Sequence, residues 1–307
     1  KENEHRKPLI LQGARQVGKT YSILEFGRTH YENVAYFNFE TNPKLNETFE
    51  ENISPDYLIP ILSHIAGQTI VTEKTLIVFD EVQLCERALT SLKYFCENAP
   101  DYHIIVAGSL LGVAVNRAKF SFPVGKVDMK TLYPMDMEEF MLALGEDDLV
   151  EQIKKCFQTD TPLPSALHDA AMQLYRQYLV VGGMPECVMQ FAETKDYILV
   201  RHTQDTILAS YLNDMSKYNN LNEIKKTRLA YDNITVQLSK KNTRFQYKLI
   251  KKGGRASEFE NAIEWLCLSG IVSQVYKVEQ IKKPLENYRD IDAFKIYVSD
   301  LGLLCAK

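Results

Sequence analysis

Leu9-Ile10-Leu11-Gln12-Gly13-Ala14-Arg15-Gln16-Val17-Gly18-Lys19-Thr20 carries an apolar run into G-x-x-x-x-G-K-T, the phosphate-binding P-loop. Pro8 to Leu11 has the character of a buried strand. Tyr21 to Phe26 opens a helix that Gly27 is suited to end. Strand, glycine loop and helix, in that order, aim unpaired backbone N–H groups at an anion. Gly13 and Gly18 permit a close approach that a Cβ would obstruct. The loop amides of Gly13, Ala14, Arg15, Gln16, Val17 and Gly18, continuing through Thr20 and Tyr21, form the expected nucleotide cradle. Lys19 is expected to reach the β- and γ-phosphates, and the Thr20 hydroxyl to ligate Mg²⁺.

Working outward, Thr75-Leu76-Ile77-Val78-Phe79-Asp80-Glu81 is the second diagnostic stretch. An apolar run ending in two acids predicts a buried parallel strand with its polar end where open α/β sheets bind ligands. Asp80 is placed to hold Mg²⁺ through water, and Glu81 to orient and deprotonate an attacking water, with Gln83 helping to place it. His103 to Ser109 predicts a strand between those two, with Ser109 as a polar sensor near the γ-phosphate or as a simple turn serine. Val34 to Glu40 and Lys126 to Tyr133 complete a parallel five-stranded sheet. Residues 44–70 read as helices punctuated by Pro55 and Pro60. Alternating strands and helices imply an α/β three-layer P-loop core. Lys126 is either a cation for transition-state charge, in cis or from a neighbouring subunit, or a solvated lysine at a strand start.

The bulk properties agree with a globular protein. Of 307 residues 45% are hydrophobic, and the net charge of −4 creates no field that demands nucleic acid or membrane. Six scattered cysteines without a C-x-x-C pair point to reduced thiols in a cytoplasmic protein. There is no signal peptide and no apolar run near the ~18 residues that a membrane span needs. The sequence starts without Met and stops just after the apolar Leu301 to Cys305, so both ends read as cuts in a longer protein.

The second half changes character. Residues 149–212 are predicted helical, with a break at Gly182-Gly183-Met184-Pro185 that is either a helix–helix turn or a lid turn over the base or ribose. Arg176 and Arg201 on the flanking helices are candidate phosphate sensors or solvated surface arginines. Glu223 to Leu238 and Glu258 to Leu268 read as helices, with Ile271 to Val278 and Phe294 to Val298 as strands. Helices followed by a two-stranded wing suggest a winged helix. Residues 239–257 carry seven Lys/Arg and no acid. They read as a grip on duplex DNA phosphates, as a contact for a protein partner, or as a solvated loop. The expected domains are a P-loop core over 1–140, a helical lid over 141–220 and a winged-helix module over 221–307.

These residues together resemble the AAA-like ATPase family paired with the domain of unknown function 4143, common in bacteria and archaea. The resemblance rests on Leu11 to Thr20, Phe79-Asp80-Glu81-Val82-Gln83 and Ala107-Gly108-Ser109-Leu110-Leu111-Gly112. It continues through Tyr133-Pro134-Met135, Glu138-Glu139-Phe140, Gly182 to Glu186, Phe294 to Tyr297 and Asp300 to Leu304. It implies an ASCE-type P-loop ATPase core, a helical lid and a winged-helix module. It also implies a nucleotide contact at Pro185, from the family's G-x-P turn. Many relatives have Arg where Lys126 stands; Lys keeps the charge but lacks the bidentate fork of an arginine finger. Full-length members continue into a region resembling a restriction endonuclease, which this sequence does not contain. The expected function is slow Mg²⁺-dependent ATP hydrolysis, with ATP and ADP as ligands, coupled to a conformational switch. The competing expectations are a switch that holds nucleotide without hydrolysing it and a DNA-directed ATPase.

Overall fold

The computed structural model describes residues 6–109, 123, 125–217, 221–241 and 244–307. Leu110-Leu111-Gly112 of the family pattern, Phe122 and Val124 before the fifth strand, Tyr218, and Asn242 and Thr243 of the basic segment lie outside the described residues. The chain forms two compact units, residues 1–132 and 133–307.

The first unit is built on five strands: β1 Leu9–Gln12, β2 Asn33–Asn38, β3 Thr75–Asp80, β4 His103–Ala107 and β5 Asp128–Thr131. Their spatial order is β2-β3-β4-β1-β5, and every pairing is parallel. β4 therefore stands between β1 and β3, as the small-residue end of its sequence implies. All six residues of β3 are buried, which explains its unbroken apolar run.

Period two decides what each strand residue meets. Ile77 and Phe79 join Phe37, Phe39 and Phe49 on one face, under α2 (Lys44–Glu51), α3 (Pro55–Ala66) and α4 (Glu86–Asn98). Leu76 and Val78 face the other way and pack with Ile23 and Phe26 of α1 (Lys19–His30). Each buried phenylalanine or aliphatic side chain is worth roughly 1.5–3 kcal/mol over exposure.

Two punctuation marks behave differently from the sequence expectation. α1 runs through Gly27 to His30. A Cβ at Gly27 would lie 2.5 Å from Val34 Cγ2, so that glycine lets the helix approach the sheet instead of ending it. Pro60 lies inside α3 without interrupting it, whereas Pro55 sits in the first turn, where its missing N–H costs nothing.

The second unit is mostly helical. α5 (Met137–Ala143) starts from a capping box in which Asp136 accepts from the Glu139 amide and Glu139 reaches back to the Asp136 amide. The acids there cap a helix. α6 (Asp147–Gln158), α7 (Ser165–Val181), α8 (Pro185–Thr194) and α9 (Tyr197–Lys217) follow, broken at Gly182–Met184 as the sequence implies. α10 (Leu221–Leu238), the short α11 (Tyr247–Ile250) and α12 (Ala256–Leu268) then lead into β6 (Val272–Val278) and β7 (Arg289–Val298). These last two strands pair antiparallel, with an irregularity between Tyr276 and Lys277. β7 begins at Arg289, five residues before the expected Phe294: Arg289 and Asp290 pair with Val278 and Lys277 beyond the irregularity, and the charged Arg289, Asp290 and Asp292 break the apolar pattern there. The Phe245 amide donates to the Phe294 carbonyl at 2.8 Å, which ties the segment before α11 to β7.

α13 (Leu301–Ala306) closes the unit by way of Asp300. This carboxylate accepts the Gly183 amide at 2.6 Å and the Leu303 amide at 2.8 Å. The Gly183 carbonyl accepts the Met135 amide at 2.7 Å, and a Cβ at Gly183 would lie 1.9 Å from the Met135 carbonyl oxygen. Three pieces of the family pattern, Met135, Gly182-Gly183 and Asp300 to Leu303, thus meet in one junction.

Among the described residues no helix is long and apolar enough to cross a membrane.

Candidate functional site

At the C-terminal edge of the sheet, β1 gives way to the loop Gly13–Gly18 and then α1. Gly13 has φ 149°, and a Cβ there would come within 2.2 Å of the Leu132 carbonyl oxygen, so no other residue fits without moving the chain after β5. Gly18 caps α1 in the left-handed region at φ 91°. The first turn of α1 consequently has no side-chain cap, which leaves its amides for an anion.

Lys19 is buried, and its Nζ donates to the Gly13 carbonyl at 3.0 Å and the Ala14 carbonyl at 2.7 Å. Burial pushes its pKa down to about 8, while the carboxylates of Glu81 and then Asp80 pull it back up. Neutral carbonyls are weaker partners for an ammonium than phosphate oxygens, so an incoming polyphosphate improves this lysine's position.

Thr20 and Asp80 meet because α1 covers the Leu76–Val78 face of β3, and Asp80 continues that alternation. The Thr20 hydroxyl donates to Asp80 Oδ2 at 2.8 Å. The Glu81 amide donates to Asp80 Oδ1 at 2.9 Å. A hydroxyl beside a carboxylate, with the remaining positions left to phosphate and water, is a donor set suited to Mg²⁺, which dehydrates reluctantly. The residues present therefore fit the cation that the motif implies.

Glu81 itself sits at φ 53°, ψ 38°, a left-handed conformation that costs a non-glycine residue ~1–2 kcal/mol. The kink turns its carboxylate toward the Ser109 hydroxyl, which approaches Oε2 at 3.4 Å, and toward the Gln83 side-chain amide, which donates to the same oxygen. Ser109 follows β4, the strand between β1 and β3, and is buried.

Lysine, threonine, aspartate, glutamate, glutamine and serine thus gather as the motifs lead one to expect. Ala14 and Val17 are buried within the loop, and Tyr21 is largely exposed on α1. One participant escaped the sequence reading. The Tyr36 phenol donates to Asp80 Oδ2 at 2.7 Å, and burial first among causes pushes its own pKa up to about 12. The signal was the alternation of Tyr36 and Asn38 against Ala35 and Phe37 in β2, which puts the two polar residues on the Asp80 face.

Lys126 does not join the group. Its Nζ pairs with the Glu97 carboxylate at 2.9 Å, just before β5, whose first residue lies beside the start of β1. That is the edge of the sheet opposite the loop, so the reading in cis fails in this arrangement. In the second unit Arg201 pairs with Asp205 at 3.1 Å one helical turn on, and Arg176 is exposed on α7. Pro185 is the first residue of α8.

Residues 5–141 match the family model described as AAA domain. Residues 172–307 match another, Domain of unknown function (DUF8612), and not the domain of unknown function 4143 that the resemblance implied. Among curated proteins none matches the chain by sequence. Among solved structures, a Walker-type ATPase of Pyrococcus abyssi is similar over 98% of this chain and 91% of its own, at 12% identity and a TM-score of 0.59. The ORC2 protein of Aeropyrum pernix, solved as ADPNP–ADP complexes, covers 98% of this chain and 86% of its own at 12% identity, with a TM-score of 0.48. RuvB of Thermotoga maritima covers 88% and 82% at 14% identity, with a TM-score of 0.38. The first likeness shows a shared fold; the other two superpose too loosely to carry an argument. The AAA-domain match thus covers the unit that carries the five-stranded parallel sheet and the P-loop.

Proposed function

We propose that the chain binds ATP at the Gly13–Tyr21 cradle and hydrolyses it slowly with Mg²⁺. The observation that carries this reading is the Thr20–Asp80 hydrogen bond with Glu81 held beside it. Lys19 and the loop amides hold the phosphates. Thr20 and, through water, Asp80 would hold the cation, which would supply charge neutralisation for the phosphates. Glu81 takes a proton from water as the water oxygen bonds to the γ-phosphorus and the bond to the β–γ bridging oxygen breaks. Ser109 and Gln83 orient the Glu81 carboxylate. Pro185 and the helices of 141–220 serve as lid, and the elements from α10 to β7 as a winged helix moved by the nucleotide state.

Replacing Glu81→Gln tests the chemistry apart from binding. Turnover is expected to fall by about 10²–10⁴-fold, with ATP affinity retained. Undiminished turnover would remove Glu81 as the base. Negligible turnover in the unaltered protein, with ATP still held, would favour the switch that does not hydrolyse.

The DNA-directed reading draws on the basic 239–257 segment. Lys251 there pairs with Glu258 at 3.0 Å, and Arg244 donates to the Asp292 carbonyl at 2.8 Å. α12, the helix that a winged helix would lay in a major groove, exposes Glu260 and Glu264 one turn apart. Two carboxylates on that face oppose phosphate, so contact with duplex DNA would be confined to its backbone and to residues such as Lys240, Lys241 and Lys252.

A further inference from the structure

We infer that Tyr36 is a positioning residue for the divalent cation: its phenol fixes the Asp80 carboxylate in the orientation that a water-bridged metal requires. This rests on the reading of the cradle as a metal–nucleotide site.

Asp80 is only 4% exposed, so its carboxylate must find its partners within the protein. Oδ1 takes the Glu81 amide, and Oδ2 takes two hydroxyls, Thr20 at 2.8 Å and Tyr36 at 2.7 Å. The two hydroxyls have different duties. Thr20 sits at the head of α1, and by donating its hydrogen bond to Asp80 it keeps its lone pairs free for a cation. Tyr36 sits on β2 and has no such second task. It holds Oδ2 from the neighbouring strand while Thr20 serves the metal.

The phenol is itself held. Asn38 Nδ2 donates to the Tyr36 oxygen at 3.2 Å. Asn38 Oδ1 accepts the amides of Glu40 and Thr41, each at 2.9 Å. The turn after β2 therefore fixes Asn38, Asn38 fixes Tyr36, and Tyr36 fixes Asp80. Partners of this outer kind typically control metal affinity by about 10–100-fold.

The test uses Mn²⁺ as a paramagnetic probe. It is titrated into the ATP-loaded whole chain, and bound metal is read by electron paramagnetic resonance for the unaltered protein, Tyr36→Phe and Asp80→Asn. ATP affinity in excess EDTA and the melting temperature are recorded beside it. Tyr36→Phe keeps the ring, so a space-filling role predicts no change in metal binding. The expected result is about tenfold weaker Mn²⁺ binding, with metal-free ATP affinity and melting temperature unchanged. Unchanged Mn²⁺ affinity, or an equal loss of metal-free ATP affinity, overturns the inference. If the unaltered protein takes up no Mn²⁺ with ATP, or Asp80→Asn loses none, the site reading itself fails and the inference goes with it.

Discussion

Two aspartates in this chain are buried to the same degree, Asp80 in the first unit and Asp300 in the second, each 4% exposed. Both lie in stretches that mark the family resemblance, and both accept several hydrogen bonds. Their donors differ. Asp300 is held by the amides of Gly183 and Leu303, which the fold fixes. Asp80 is held on Oδ2 by the hydroxyls of Thr20 and Tyr36, and the Thr20 oxygen keeps lone pairs for a cation. A buried carboxylate wrapped in backbone organises a fold; one wrapped in hydroxyls at the end of a strand is poised for a ligand.

The sharpest way to break this contrast is to delete each carboxylate in turn. Asp300→Ala leaves two buried amides without acceptors, and the expected loss of stability is about 2–5 kcal/mol by urea denaturation. Asp80→Ala leaves one amide, that of Glu81, without its acceptor and two hydroxyls that can turn elsewhere, so the expected loss is smaller, about 1–2 kcal/mol. Equal losses would erase the distinction.

A smaller effect sharpens it. Burial, outweighing the amides, holds the Asp300 carboxyl above its ordinary range. The folded chain therefore keeps a proton there at pH values where the unfolded chain has released it. The stability this contributes is complete below the unfolded pKa and is lost as pH rises through the folded one. Asp300→Asn cannot titrate. The stability gap between the unaltered chain and this variant is therefore expected to be widest in acid and to narrow toward neutral pH, in urea midpoints read from about pH 4.5 to 7.5. A gap that widens would show that the amides win over burial.

The same contrast explains what the sequence made legible. Thr20, Lys19 and Asp80 could be read because each lies in a short motif whose strand or helix sets its direction. Tyr36 showed only as a polar position in the alternation of β2; that it meets Asp80, 44 residues away, follows only from the β2–β3 register. The left-handed kink at Glu81 leaves no trace in residue type. Gly182-Gly183 announced a break but not its cause, since Asp300 lies 117 residues beyond Gly183. Gly27 was misread because a glycine that ends a helix and one that admits a sheet look alike in sequence. Lys126 carried the right charge, and only the parallel sheet revealed that it stands at the wrong edge.

The central claim is that a triphosphate nests where β1 passes into α1, with Lys19 exchanging loop carbonyls for phosphate oxygens. Equilibrium titration of ATP with Mg²⁺ against the unaltered chain and Lys19→Ala tests it most directly. Saturable binding that weakens by about 100-fold in the variant is expected, the loss of one desolvated charge pair. Binding of equal strength in both would place the nucleotide elsewhere and contradict the claim.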